Sequence, residues 1–263
     1  MTRASEGGHF YAPNGTPVYE VPKKDGGMRP AHIGDARKLG LFPGVTSIIK
    51  CAAAPGLELW KQDQVLMAAL TLPRIDGETN EQLCARIMHD SGEQARKARD
   101  KGTQIHAAIQ GHYEGQAPSE EMWPYVKGVV ETLKQNCANA QWKPEHPVAH
   151  PLGFGTKSDL HDFDYVLDFK GSDFGPDKAP KLKTWDEHAM QLAATRKALA
   201  HKGKVDVLAE CGIVYVSRTH PGLCRLIWVD QDELQKGWQM FQGLHAYWCA
   251  KNNYFPSQLK VAA

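Results

Sequence analysis

The chain has 263 residues, 42% of them hydrophobic and 23% charged, with a formal net charge of +1. That length can bury a substantial core without staples, and the composition is that of an ordinary globular protein, favouring no special class. A near-neutral sum does not argue against nucleic acid, because a basic groove around an acidic centre cancels in the total.

The six cysteines, Cys51, Cys84, Cys137, Cys211, Cys224 and Cys249, form no CxxC pair and no zinc or iron–sulfur spacing. Reduced thiols in an intracellular protein are expected. MTRASEGGHFYAPNG lacks the apolar segment of a signal peptide. No run reaches the roughly 18 apolar residues of a membrane span. The expectation is a soluble, cytoplasmic protein without a membrane partner.

In chain order, residues 1–44 read as an irregular extension with short hairpins, rich in Gly, Pro and charge. Residues 45–263 read as one domain. Val45 to Leu70 predicts helix, broken at Pro55–Gly56. Ser91 to His112 predicts a longer helix with Ala95, Ala98, Ile105 and Ile109 at helical spacing and Gly115 as its stop. Met122 to Cys137 predicts another.

After Trp142 the period changes to two. HPVAHPLGFGTKSDL and DYVLDFKG predict strands joined by a turn at His161–Asp164, with a first strand near Pro147–His150. The loop GSDFGPDKAPKLK leads to a helix from Trp185 to Ala200. LAECGIVYVSR and CRLIWVD predict a hairpin around Thr219–Gly222. The last helix, Gln231 to Ala250, has Asp230 and Glu233 in capping-box positions and an apolar face of Leu234, Trp238, Phe241 and Trp248. This order predicts a mixed α/β protein with one central sheet flanked by helices.

The stretch SDLHDFDYVLDFKG carries the most chemistry. Alternate strand residues share a face, so Val166, Asp168 and Lys170 point away from Tyr165, Leu167 and Phe169. A hairpin through His161–Asp164 brings Asp159 across from Asp168. Two carboxylates about 4 Å apart repel by about 4 kcal/mol at an effective dielectric of 20, so one binds a proton or a cation sits between them. Oxygen donors on an open site favour magnesium or manganese. Asp162 and Asp164 read as turn formers. Asp168 with Lys170 also fits a surface ion pair on an edge strand, and the triplet alone does not decide.

The run GFGTKSDLHDFDYVLDFKG, preceded by KGTQIHAAIQ and followed by DEHAMQLAATR, resembles the PD-(D/E)xK nuclease superfamily, in its phage-exonuclease and RecB-like branch. A GTxxH helix, a strand aspartate, a DxK strand and a helix with Gln follow in that order. The likeness is clearest over residues 95–200; VTSIIK and VYVSRTHPG also look like phage exonuclease sequences. The resemblance implies a restriction-endonuclease-like αβββαβ core. It implies His106, Asp159, Asp168 and the Phe169 carbonyl as metal ligands, Lys170 as the catalytic lysine and Gln191 as a helper to the lysine, the water or the DNA. Three positions depart from the pattern. Gln110 stands where relatives often carry Glu, Thr195 ends the QxxxY motif, and the cysteines of an iron–sulfur cluster are missing, so none is expected. His188 shares a helix face with Gln191, and His161 takes no role.

Basic residues flank these motifs. Lys101 precedes His106, Lys181 and Lys183 follow Lys170, and Arg196 follows Gln191; all could bind phosphates without reading sequence. Trp60, Trp123, Tyr125 and Trp185 are candidates for base stacking, none of them assigned. The expectation is a Mg²⁺-dependent (or Mn²⁺-dependent) deoxyribonuclease of phage-exonuclease type. Its substrate would be linear double- or single-stranded DNA, in phage recombination, replication or degradation, inside a phage-infected or bacterial cell. A homo-oligomer or an annealing partner is compatible with it. The alternatives are a structure-specific or nicking endonuclease of the same fold, and an inactive nuclease-like DNA-binding or recombination subunit.

Overall fold

The computed structural model describes residues 9–53 and 55–258. The segment expected to be irregular contains β1 (Phe10–Tyr11), β2 (Pro17–Val18), β3 (Glu20–Pro22), β4 (Met28–Pro30), α1 (Ile33–Leu39) and β5 (Phe42–Pro43). β1 pairs antiparallel with β2 and β5, and β3 with β4 across a turn that needs Gly26 at φ 88°. Asp35 closes the first turn of α1 by accepting from the His32 amide at 3.0 Å while Arg29 clamps it with bonds of 2.7 and 2.8 Å. Phe10, Val21, Ala31, Ala36 and Leu41 are buried in the main core. They follow no period in the sequence, which is why only tertiary packing reveals them as core.

Helices α2 (Val45–Ile49) and α3 (Pro55–Thr71) follow; the expected break lies just before the Pro–Gly pair, which opens α3 instead of interrupting it. α4 runs from Asn80 to Tyr113, 34 residues and about 51 Å at 1.5 Å per residue. It starts eleven residues earlier than the periodicity indicates (91 − 80), at a Thr79–Gln82 capping box. α5 (Trp123–Asn136) lies beside its second half.

The central sheet is built from β6 (Lys143–His150), β7 (Phe154–His161), β8 (Tyr165–Ser172), β9 (Glu210–Ser217) and β10 (Cys224–Val229), in the order β10-β9-β8-β7-β6. All neighbours are antiparallel except β8 and β9, which are parallel and joined by α6 (Asp186–His201). A parallel pair cannot be joined by a tight turn, so the crossover helix is required there. α7 (Gln231–Asn252) completes the chain, its start capped by Asp230, whose Oδ1 accepts from the Glu233 amide at 2.7 Å. Glu233 does not return the bond; it accepts instead from Thr184 at 3.3 Å.

Each face of the sheet has its own core. Leu160, Leu167, Phe169, Val214 and Val216 pack against α4 and α5 through Ile105, Ile109 and Val126. Phe154, Val166, Cys211 and Ile213 pack against α6 and α7 through Leu192, Ala193, Leu234 and Phe241. From α4 and α5 onward the order is helix, three strands, helix, strand, in a mixed sheet flanked by helices, as expected. Among the described residues no helix is long and apolar enough to cross a membrane.

Candidate active site

The site forms where the sheet forks. β8 keeps register with β9 from Tyr165↔Glu210 to Ser172↔Ser217, yet pairs with β7 only at Leu160↔Leu167 and His161↔Val166. The next register position would set Asp159 against Asp168, and there the ladder stops. A buried amide must still find an acceptor. The Phe169 N–H finds it in a side chain, donating to Asp159 Oδ2 at 2.7 Å. Because the N–H and C=O of a strand residue point to the same side, the Phe169 carbonyl also faces the fork.

Asp168 is approached from α6. Gln191 Nε2 donates to Asp168 Oδ1 at 2.6 Å and Gln191 Oε1 accepts from Lys170 Nζ at 3.0 Å. Only this amide orientation lets the nitrogen meet the carboxylate and the oxygen meet the ammonium. Lys170 Nζ also lies 2.7 Å from Asp168 Oδ2, with side chains 31% and 10% exposed. At that distance the ammonium is the partner of Asp168 Oδ2, which no other donor reaches. Burial pulls the Lys170 pKa down, but the charge and hydrogen bond of Asp168, and then the Asp159 charge, outweigh it and raise it overall, so the group is an ammonium at neutral pH.

Asp159 has the opposite problem. Burial first, and then the Asp168 charge, push its carboxyl up to about 6, against His106, the Phe169 N–H and Lys170, which favour the anion. His106 reaches the fork from α4, on the face opposite Gln191. Its Nδ1 is 3.9 Å from Asp159 Oδ2, and its ring meets Phe169 edge-on at 5.9 Å.

His106, Gln110, Glu145, Asp159 and Phe169 line one small cleft. Glu145 escaped the sequence reading because KPEHP resembles a loop, whereas it lies on edge strand β6. No group of three or more His, Cys, Asp or Glu residues among the described ones stands close enough to hold a metal ion. Magnesium does not need one, since it commonly takes one or two carboxylates and keeps several waters. The Asp159 and Asp168 carboxylates and a fork-facing carbonyl are donors of the kind such a cation takes.

The other expected residues divide. His188 is buried behind the site, its Nδ1 accepting from the Trp185 amide at 3.3 Å, and burial and Lys170 push its pKa down to about 4. Lys181 and Lys183 are exposed, the latter over the Trp185 ring at 4.7 Å from its centroid. Lys101 is engaged by Glu121 at 2.6 Å and lies 5.1 Å from the Tyr125 ring centre. Arg196 is not where a phosphate contact would have to be. It is 5% exposed and donates through Nη1 to the Ala209 carbonyl at 3.2 Å and to Gln231 at 2.7 Å. Thr195 is buried as well, bonded to Thr156 at 2.8 Å. Asp162 braces the turn, accepting from the Gln141 and Asp164 amides at 2.7 and 3.2 Å.

No family model matches the chain, and no curated protein matches it. Among solved structures, one titled "Putative exonuclease" from Eubacterium rectale is 11% identical, over 58% of this chain and 68% of its own, with a TM-score of 0.42. An alkaline exonuclease from Laribacter hongkongensis is 14% identical, over 74% of this chain and 94% of its own, with a TM-score of 0.37. Similarity of this degree assigns no activity, and the chemistry rests on the residues at the fork.

Proposed function

We propose that the protein is a magnesium-dependent deoxyribonuclease of phage-exonuclease type, hydrolysing DNA phosphodiester bonds from an end. One observation carries this: Asp168, Gln191 and Lys170 form a bonded network where β7 and β8 part, with Asp159 across the gap. A structural ion pair on an edge strand would need neither the fork nor the glutamine.

In this reading Asp159, Asp168 and the Phe169 carbonyl hold Mg²⁺ or Mn²⁺, with His106 alongside. The cation, when bound, polarises a phosphoryl oxygen and lowers the pKa of an attacking water. Lys170, as an ammonium, donates to the water or to the phosphoryl oxygens and stabilises charge as it develops. Gln191 fixes the lysine's direction. The exposed Lys181 and Lys183 attract the DNA backbone, a salt-sensitive and sequence-independent attraction.

The test compares linear with covalently closed circular DNA, in Mg²⁺ and in chelator. Loss of linear DNA alone, only with metal, is expected. Nicked circles would make the protein an endonuclease. Retention of DNA without cutting, with or without metal, would make it a binding subunit with an idle site.

A further inference from the structure

Residues 183–185 run past the site, and each of the three is tied down by a different element. Tyr215 is the register partner of Lys170 across the parallel pair β8–β9. Neighbouring strands lie about 4.8 Å apart, so the two side chains stand next to each other on the face that α6 covers. The Tyr215 hydroxyl donates to the Lys183 carbonyl at 2.9 Å. Thr184 donates to Glu233 of α7 at 3.3 Å, and the Trp185 amide donates to His188 of α6 at 3.3 Å. Trp185 stands six residues before Gln191 (191 − 185). That is about 9 Å along the axis of α6, or two to three base steps of about 3.4 Å.

The backbone is fixed, yet the ring is left in water. Trp185 is 53% exposed, with the Lys183 ammonium over it at 4.7 Å from its centroid. A single exposed apolar residue on a loose loop would need no explanation. Here the indole forgoes burial while the residues that carry it are held in one place beside Lys170. A flat π-face joined to an ammonium matches a nucleotide, whose base stacks and whose phosphate is an anion.

We propose that Trp185 and Lys183 form a nucleotide subsite, in which the indole stacks an unpaired base and the ammonium pairs with the adjoining phosphate. This rests on the deoxyribonuclease reading of the fork and deepens it, by giving one strand a path along the start of α6. Every base has a π-face, so the subsite selects for unpaired bases and not for sequence.

The experiment is fluorescence anisotropy, in chelator, with two end-labelled single strands of about twelve nucleotides, one of thymidines and one of abasic sites, which keep the phosphates and lack the bases. Wild type binds the thymidine strand about 5- to 100-fold more tightly than the abasic one. Trp185→Ala loses at least about fivefold of that preference at unchanged affinity for the abasic strand, and Trp185→Phe keeps it. Lys183→Ala weakens both strands alike. A preference in Trp185→Ala equal to that of wild type, or equal affinities in wild type, overturns the subsite, and cleavage of linear DNA in Mg²⁺ then leaves the nuclease reading standing. Wild type that neither binds nor cuts DNA, in chelator or in Mg²⁺, overturns both.

Discussion

Gln191 reaches from α6 to donate a 2.6 Å hydrogen bond to Asp168, and with the other end of the same amide it accepts from Lys170. It therefore acts as a positioning residue between a carboxylate and an ammonium. Gln191→Ala is expected to lower kcat by about 10- to 100-fold with little change in KM, because the lysine loses its direction and the DNA contacts remain. Gln191→Glu sets a second carboxylate against Asp168 Oδ1, where two anions cannot both persist. The acidic limb of its pH–rate profile is then expected to move to higher pH. A purely structural glutamine would leave that limb in place.

Asp168 and Lys170 should separate stability from activity. Asp168→Asn keeps the side chain's shape and removes the charge that raises the Asp159 pKa. Cleavage is expected to vanish while the fold persists, with a lower urea midpoint because the Lys170 ammonium loses its carboxylate partner. Lys170→Ala is also expected to abolish cleavage, but it leaves Asp168 in its 10% exposed position without a cation. After allowance for the 31% exposure of the lysine, it should cost about 1–3 kcal/mol in unfolding experiments. Wild-type activity in either variant would sink the assignment.

Burial favours the neutral form of six histidines in the folded state, three of them strongly. His150, His161 and His188 are each pushed down to about 4, chiefly by burial. The unfolded chain takes up protons near pH 6.5 while the folded chain does not, so their contribution is present above pH 6.5 and is lost as pH falls towards 4. Asp159 works the other way. Its carboxyl is raised to about 6, so the folded state binds the extra proton between about pH 4 and 6 and gains stability there. His9, His146 and His245 are lowered by burial as well, so six groups oppose one, and the cation-free protein is expected to lose stability from pH 7 to 4.5. Urea unfolding across that range checks the slope, and Asp159→Asn should make it steeper by removing the opposing group.

What the sequence revealed of this fold and site depended on how local the signal was. The facing of Asp168 and Lys170 follows from the period-two alternation of one strand, and the hairpin through His161–Asp164 brings Asp159 opposite, so both were legible. The fork was not, because the end of the β7–β8 ladder depends on where neighbouring strands diverge. Glu145 was hidden for a related reason. Prolines at 144 and 147 look like a loop, yet an edge strand tolerates them, since it leaves one row of amides unpaired. Phe10 and Ala36 were hidden because single apolar residues between turns have no period, although both are buried.

Arg196 and Lys183 looked alike in sequence, as basic residues beside the site motifs, and the structure makes their expected behaviour opposite. Arg196 is enclosed between β9 and the start of α7, with an Nε that has no acceptor and an Nη1 shared by Ala209 and Gln231. Arg196→Ala removes these bonds and leaves a void, so it should cost about 2–4 kcal/mol in unfolding and leave the salt dependence of DNA binding unchanged. Lys183 is exposed, stacked on a Trp185 ring that is itself 53% exposed. Lys183→Ala should cost little stability and lower the slope of log affinity against log salt by up to about one. Salt titrations of both variants with a short DNA duplex separate the two cases, and a reduced slope for Arg196→Ala at unchanged stability would return that arginine to the DNA surface.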